Sequence, residues 1–317
     1  MIYPQIIRQL QVGGPNFLDW YGDGPFNRVL TSLDEQYCDK SYIPPCTHEV
    51  CDGDPTEQSD TGGAHCGGVP KTNVISISYG EMEAYLLPKY QKRQCSEWMK
   101  LALQGTSVVF SSGDSGVAAD PGFCLSADGT PSIYGNVFAP SFPANCPWAT
   151  TVGATTLKGD SLDDGERAIT GFQSGGGFSN VFHQPEYQKT AVDPYLQNHA
   201  PAYWKDTYNR TGRGYPDVSA VGFNIATILL GKLVPAEGTS ASAPIFASLL
   251  NLINEERLRA NKTAVGFVNP VIYKHPEMFN DITEGSNPGC GTNGFPATEG
   301  LGTPTYEKMK EVFMSLP

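Results

Sequence analysis

The sequence predicts an α/β protein in which helices flank a parallel sheet. A strand, a helix and a second strand follow one another within residues 73–116, and further compact apolar runs lie downstream. Two parallel strands joined by a helix at this spacing imply a right-handed crossover. No linker-like segment divides the 317 residues, so we expect a single domain over 1–317.

The individual elements follow from five segments, four predicted strands and one predicted helix. The run "NVISISYG" (73–80) is β-branched and predicts a buried strand. A helix is predicted over "LPKYQKRQCSEWMKLALQG" (87–105), with Pro88 in its first turn and Gly105 at its end. The second strand is predicted in "TSVVFSSGDSG" (106–116). Further strands are expected in "ATTVGATTL" (149–157) and "FNIATILL" (223–230).

Two polar residues stand where this fold places reactive groups. Ser240 precedes "SAPIFASLLNLINEERLRAN" (242–261), a predicted helix whose apolar residues recur at core spacing: Ile245, Leu249, Leu252 and Ile253. The helix dipole favours negative charge developing at a carbonyl attacked there. Asp114 lies at the carboxyl end of a strand, where reactive groups of open parallel sheets gather. An N-cap serine and a turn aspartate explain both residues equally well.

Composition excludes several kinds of partner. The formal charge is −12 and the isoelectric point is near 4.8, so phosphate-bearing partners would be repelled. We therefore expect no nucleic-acid partner and no anionic membrane surface. No apolar run reaches the roughly 20 residues of a membrane span.

The eight cysteines indicate disulfides formed in an oxidising compartment. Two glycosylation sequons, at Asn209 and Asn261, agree with a secreted, extracellular glycoprotein. The N-terminal "MIYPQIIRQLQV" shows no basic leader, long apolar core or cleavage site. A zinc site is the competing interpretation of one cysteine-rich loop, which contains Cys46, His48, Cys51, His65 and Cys66.

A serine nucleophile needs a partner that accepts its proton. The five histidines offer no convincing base, because they lie in the cysteine loop or in polar segments. A carboxylate base that works at acid pH is the remaining option. Glu81 and Glu83 follow a strand end in "SYGEMEA", and we interpret both as solvated loop charges.

An ordered set of motifs over the whole chain resembles the sedolisin, or serine-carboxyl peptidase, family. The motifs are "SSGDSG", "SGGGFSNVF", "GRGYPDVSA", "GTSASAP", "GFVNPVIY" and "FNDITEGSNPGC". The similarity is greatest to secreted fungal tripeptidyl-peptidases and endopeptidases. It implies a subtilisin-like fold and a monomeric peptidase that cleaves peptide or protein substrates at acid pH.

The resemblance also implies roles for particular residues. Ser240 matches the nucleophile, and Asp114 matches the oxyanion-hole carboxyl, which must be protonated to donate a hydrogen bond. The segment Ser174, Gly175, Gly176 and Gly177 resembles the segment that runs beside bound substrate, where glycine permits close approach.

The sequence departs from the family at two places. The family's proton acceptor is a Glu with an Asp four residues later, upstream of a "YPQ" strand, and here "IYPQ" begins at residue 2. The expectation is therefore a peptidase domain without its N-terminal portion, its base or a propeptide. The family's calcium ion would be bound through Asp281 and Ile282, but the glycine-aspartate loop that completes the site is shortened. A turn aspartate explains Asp281 equally well.

Three hypotheses follow. The chain is a secreted acid serine peptidase, impaired because its carboxylate base is missing. Alternatively, it is an inactive relative that binds peptides or proteins through the surviving cleft. The third possibility is a zinc- or disulfide-organised binding protein in which the peptidase motifs serve only as scaffold.

Overall fold

The computed structural model describes residues 71–203, 206–297 and 299–317, together with Phe26, Val29, Leu30, Leu33 and Asp34. The chain divides into two compact units, Met1–Lys71 and Thr72–Pro317. In the first unit, helical hydrogen bonds join the Leu30 N–H to the Phe26 carbonyl and the Asp34 N–H to the Leu30 carbonyl. The second unit contains every residue to which a catalytic, substrate-binding or calcium-binding role is assigned above.

The described part of the second unit combines helices with mostly short strands. The helices are α1 (Pro88–Leu103), α2 (Lys189–Asn198), α3 (Thr239–Arg259), α4 (Asn269–Lys274) and α5 (Tyr306–Ser315). The strands are β1 (Val74–Ile77), β2 (Glu81–Met82), β3 (Ser107–Ser111), β4 (Cys124–Leu125), β5 (Pro131–Ser132), β6 (Ser141–Phe142), β7 (Thr150–Leu157), β8 (Glu166–Ala168), β9 (Gly177–His183), β10 (Gly212–Tyr215), β11 (Val218–Val221), β12 (Ile225–Leu229), β13 (Lys232–Ala236), β14 (Phe279–Asn280) and β15 (Thr303–Pro304).

The central sheet has the strand order β1–β3–β7–β11, and neighbouring strands along this path are parallel. The β8 strand pairs antiparallel with β7. The helix α1 connects β1 to β3, so the predicted strand, helix and strand unit is confirmed, and Pro88 is the first residue of that helix. The predicted parallel α/β fold is therefore confirmed.

The strand predicted within residues 223–230 is confirmed, but it lies outside the central sheet. It is β12 (Ile225–Leu229), which pairs antiparallel with β13 in a separate hairpin. Most apolar side chains of this hairpin are exposed, Leu230 most of all at 94%. The sheet position beside β7 belongs instead to β11, which directly follows Pro216 and Asp217. Strong apolar character did not distinguish a sheet strand from an exposed hairpin.

Helix α3 packs on the central sheet through a face that sequence periodicity predicted only in part. Ile253 is fully buried as expected, whereas Leu252 is 38% exposed and Ile245 and Leu249 are half-buried. The buried stripe of the helix consists of Ala243, Phe246, Ala247, Leu250 and Ile253. It joins a core that includes Val109, Val152 and Val218 from β3, β7 and β11. Small residues early in the helix allow it to approach the sheet closely.

Two disulfides link distant parts of the second unit. Cys95 of α1 is bonded to Cys146, and Cys124 of β4 is bonded to Cys290. The prediction of disulfides is confirmed for these four cysteines. The other four, Cys38, Cys46, Cys51 and Cys66, lie outside the described residues, as do His48 and His65 of the zinc alternative.

The surroundings of the two sequon asparagines and the character of the helices bear on the sequence predictions. The Asn209 amide donates a hydrogen bond to the Ser179 carbonyl, at 2.7 Å, whereas Asn261 is exposed beyond the end of α3. Among the helices that the structure describes, none is long and apolar enough to cross a membrane.

Candidate active site

The structure brings Ser240 and Asp114 together at one end of the central sheet. Asp114 follows the carboxyl end of β3, and Ser240 is the exposed second residue of α3. Thr239 joins them, because its N–H and its hydroxyl both donate to Asp114 Oδ1, at 2.7 Å and 2.8 Å. The Ser78 hydroxyl, just after β1, donates to the Ser240 carbonyl at 2.9 Å. The serine and the carboxyl therefore lie side by side, as expected for residues at the same edge of a parallel sheet.

Glycine permits this approach of carboxyl and helix. Gly238 immediately precedes α3 with a φ of +119°, a conformation that residues with a side chain rarely adopt. A Cβ at Gly238 would lie 3.0 Å from Asp114 Oδ2. The position therefore requires glycine both for its backbone conformation and for the close approach of the carboxyl group.

Thr239 is a site residue that the sequence analysis missed. Besides donating to Asp114, its hydroxyl accepts a hydrogen bond from the Gly113 N–H at 3.2 Å. It thus fixes the loop that carries Asp114 to the first turn of α3. The available signal was its place directly before Ser240 in "GTSASAP".

The segment Ser174–Gly177 is buried and packs against the Asp114 loop. The Gly175 N–H donates to the Gly113 carbonyl at 2.7 Å, and the Gly176 N–H donates to the Gly116 carbonyl at 3.1 Å. A Cβ at Gly175 would come within 2.3 Å of the Ser112 carbonyl oxygen. Glycine is required here because two backbones of the protein touch. Contact of this segment with a substrate stays a prediction.

The interpretation of Glu83 as a solvated loop charge was wrong. Its side chain is 3% exposed, and its carboxyl accepts hydrogen bonds from Asn145, Ser179, Asn180 and Val181. Burial raises the pKa of Glu83, and the hydrogen bonds oppose that rise. Its acceptor oxygens are already used by this network, so Glu83 has a structural role.

Glu81 is half-buried at the start of β2. Burial raises the pKa of its carboxyl to about 7. Its Oε1 is buried and has no hydrogen-bond partner among the described residues. The interpretation of Glu81 as a solvated charge was therefore wrong as well.

A second buried glutamate, Glu299, was not predicted at all. It lies beneath the Ser174–Gly177 segment, where Oε2 is within hydrogen-bond distance of the Ser174 hydroxyl (3.1 Å) and the Ser219 hydroxyl (2.7 Å). Burial raises the pKa of Glu299 to about 7, and the two hydroxyl hydrogen bonds oppose that rise. Nothing around Glu299 indicates burial, because a glutamate in the loop "GFPATEGLGTP" resembles any exposed charge.

Calcium binding through Asp281 and Ile282 stays a prediction. Asp281 is exposed and Ile282 is buried, just after β14. Within the described residues, no three His, Cys, Asp or Glu side chains gather closely enough to hold a metal ion. Calcium takes six to eight oxygens, so these two residues alone do not fit it, and no chemical step is assigned to a metal.

The fold and this site define a class of protein: a subtilisin-like α/β fold in which a serine at a helix N-terminus lies beside the half-buried carboxyl of a loop. Comparison with known proteins agrees. Residues 70–265 match the subtilase family, Peptidase S8, and the chain belongs to that family.

Individual relatives confirm the resemblance to the sedolisins. Tripeptidyl-peptidase sed1 of Aspergillus fumigatus is 46% identical over 343 residues, and aorsin of Aspergillus oryzae is 44% identical over 351 residues. Both alignments cover 100% of this chain but 52% of the relative, so the chain spans about half the length of these curated relatives.

A solved structure supports the fold. Pseudomonas sedolisin, a serine-carboxyl proteinase, is 23% identical with a TM-score of 0.59, and the match covers 77% of this chain and 66% of that one. The subtilisin-like fold is therefore shown.

Proposed function

We propose that the second unit is the serine-carboxyl half of an acid-acting peptidase site, with Ser240 as nucleophile and Asp114 as oxyanion stabiliser. The observation that carries this proposal is the pair of Thr239 hydrogen bonds, which hold the Asp114 carboxyl beside the N-terminus of α3. The class of substrate is a peptide or protein, and the reaction is hydrolysis of a peptide bond.

The chemistry follows from which oxygen of Asp114 is occupied. Oδ1 accepts from Thr239, so Oδ2 is the oxygen available for a proton. A protonated Oδ2 can donate to the oxygen of an attacked carbonyl as negative charge develops there. The positive end of the α3 dipole acts in the same direction. Protonation of a carboxyl requires acid conditions, which supports activity at low pH.

The group that would accept the proton of Ser240 is not found among the described residues. Within the described part of the chain, no carboxylate or imidazole is hydrogen-bonded to the Ser240 hydroxyl. A serine without an activating base reacts slowly, and loss of such a group costs roughly 10⁴-fold in rate or more. We therefore expect this 317-residue chain to cleave peptides weakly at most.

The same observation favours a second candidate function, in which the chain binds peptides without cleaving them. The serine and carboxyl are positioned by backbone and Thr239 contacts that do not depend on a base. The two disulfides support an extracellular location for either function.

The test is cleavage and binding of a fluorescent oligopeptide at pH 3–5. The wild-type chain is compared with Ser240→Ala, Asp114→Asn and Ser248→Ala. Ser248 lies on the same helix, and its hydroxyl donates to the backbone carbonyl of Pro244 in the preceding turn. Ser248→Ala is therefore the matched control. We expect slow cleavage that Ser240→Ala abolishes and the control retains.

Three other outcomes change the proposal. Cleavage that survives Ser240→Ala would show that Ser240 is not the nucleophile. Fast turnover that depends on Ser240 would show that a base is present, and Glu81→Gln would then be the first substitution to examine. Peptide binding without cleavage, unaffected by Ser240→Ala, would favour the non-catalytic alternative.

A further inference from the structure

Glu299 is buried in a place that has no positive charge to balance it. Its side chain is 1% exposed, between β7 and β11. A Cβ at Gly153 of β7 would lie 2.6 Å from Oε2, so the carboxyl is packed tightly against that strand. No lysine, arginine or histidine among the described residues pairs with it, and Oε1 is buried without a hydrogen-bond partner. An ionised carboxyl is poorly stabilised in such surroundings.

The hydrogen-bond donors and acceptors around Glu299 are compatible with a neutral carboxyl. The Ser219 hydroxyl lies 2.7 Å from Oε2 and 3.0 Å from the backbone carbonyl oxygen of Glu299, and it has a single proton to give. The Ser174 hydroxyl accepts from the Ala154 N–H at 2.9 Å, which leaves its own proton for Oε2. If Ser219 donates to the carbonyl, a protonated Oε2 can donate to Ser219 and accept from Ser174.

Ser174 connects Glu299 to the candidate active site through neighbouring hydrogen bonds. The next residue, Gly175, donates to the Gly113 carbonyl at 2.7 Å, and the Gly113 N–H donates to Thr239 at 3.2 Å. Asp114 is held by the same threonine. A continuous series of contacts thus joins Glu299 to Asp114. The tight packing at Gly175 leaves little room for the backbone to move.

The other ionisable groups on the surrounding elements have partners of their own. Asp217, before β11, forms a fully buried ion pair with Arg213 at 2.5 Å. Glu166 of β8 accepts from the hydroxyls of Thr155 and Thr303. Asp114 accepts from Thr239. Glu299 and Glu166 are contacted by hydroxyl groups alone, and of these two Glu299 is the fully buried one, because Glu166 is half-buried.

We infer that Glu299 is a positioning residue whose protonated carboxyl holds the Asp114 loop through Ser174, so that the site is assembled in acid and loosens above neutral pH. The inference rests on the proposed function of Asp114. It adds a second acid requirement, remote from the substrate, to the one that Asp114 itself imposes. Burial raises the pKa of Glu299 to about 7, which places this second requirement near neutrality.

The test compares Glu299→Gln with the wild-type chain between pH 5 and pH 8. Glutamine keeps a donor and an acceptor but cannot ionise. The first readout is amide hydrogen exchange of residues 113–116 and 174–177, corrected for the intrinsic effect of pH. In the wild-type chain we expect protection to fall about tenfold from pH 5 to pH 8, which corresponds to about 1.4 kcal/mol, and in Glu299→Gln we expect it to fall far less.

The second readout is kcat/KM for a peptide over the same pH range. Glu299→Gln should retain more activity at pH 8 than the wild-type chain does, relative to pH 5. Glu166→Gln, a glutamate of the same sheet without a link to Ser174, is the control and should leave the wild-type pH dependence intact. Ser174→Ala should remove the pH dependence of exchange at residues 113–116, because the link is cut.

The outcomes separate this inference from the proposed function. If no cleavage is measurable but the exchange pattern appears, Glu299 positions the loop and the proposed function fails alone. Equal pH dependence of exchange in Glu299→Gln and the wild-type chain would overturn the inference even if the peptidase is active. Should Glu299→Gln fail to fold, Glu299→Met supplies a neutral side chain of similar size, and the same exchange comparison decides.

Discussion

Two buried glutamates hold the two ends of the segment Ser174–Val181, and they do so in different ways. At the downstream end, Glu83 accepts from Asn145, Ser179 and the backbone N–H groups of Asn180 and Val181. At the upstream end, Glu299 meets the hydroxyls of Ser174 and Ser219. Both carboxyls are nearly inaccessible to solvent, at 3% and 1% exposure.

The difference lies in what the neighbouring groups can do with a proton. An N–H group can only donate, so the surroundings of Glu83 suit a carboxylate and oppose the effect of burial on its pKa. A hydroxyl can donate or accept, so the surroundings of Glu299 suit a neutral carboxyl. Burial raises the pKa of both carboxyls, and the two sites differ in the kind of donor that opposes this rise.

Glu83→Ala is expected to have the largest effect. It leaves the Asn145 amide, the Ser179 hydroxyl and two backbone N–H groups without their acceptor in the interior. A buried donor that loses its acceptor costs about 1–3 kcal/mol, so we expect a loss of about 4 kcal/mol or more in the free energy of unfolding. Urea denaturation at pH 6 measures it.

Glu83→Gln serves as the control for this substitution, because it keeps one acceptor oxygen and the size of the side chain. It should destabilise the protein less than Glu83→Ala. A loss below about 1 kcal/mol for Glu83→Ala would show that the network contributes little, contrary to the comparison above.

Because of Glu299, the free energy of unfolding should fall as pH rises. Its pKa is raised by burial from 4.5 to about 7 in the folded state, so the folded state binds the proton more tightly than the unfolded chain. The contribution is fully present below about pH 4.5 and is lost as pH rises through about 7, and a shift of this size corresponds to about 3 kcal/mol. Urea denaturation from pH 4 to pH 9 measures it.

In Glu299→Gln this part of the pH dependence should disappear. Glu81, whose pKa is also raised to about 7 by burial, should contribute in the same direction in both proteins. The quantity to compare is therefore the difference between the two curves. Parallel curves from pH 4 to pH 9 would show that Glu299 does not take up a proton on folding.

The smallest expected effects concern the two serines. Ser179→Ala removes a donor to Glu83 and an acceptor for the N–H groups of Val181 and Phe182, so we expect a loss of about 2 kcal/mol. Ser174→Ala leaves the Ala154 N–H without its acceptor, and we expect about 1 kcal/mol at pH 5. Thermal or urea unfolding ranks them, and the reverse order would contradict the stronger role given to the Glu83 end.

The sequence predicted the parts of the fold that depend on local pattern. The β-branched runs that became β1, β3 and β7, and the helix that begins at Pro88, were all identified from periodicity and turn residues. The strand β11 was missed because "VSAV" is short and alternates small with apolar residues. The strand β12 was predicted but its partner was not, because apolar character does not reveal which strand a segment will pair with.

The candidate site was predictable where a residue stands at the end of an element. Ser240 and Asp114 were identified because helix N-termini and strand carboxyl ends are readable in the sequence. Glu83 and Glu299 were not, because their burial depends on contacts with residues 62 to 125 positions away. Long-range contacts of this kind leave no periodic signal around the glutamate itself.

The disulfide between Cys124 and Cys290 closes a ring across 166 residues of sequence, which contains Ser174–Gly177 and Ser240 but not Asp114. In the unfolded chain such a cross-link removes much conformational freedom, which by the chain-entropy relation corresponds to about 5 kcal/mol. A polypeptide made where thiols stay reduced would have to fold without that help. The redox state of the compartment in which the chain matures therefore sets how much of its population reaches the native state.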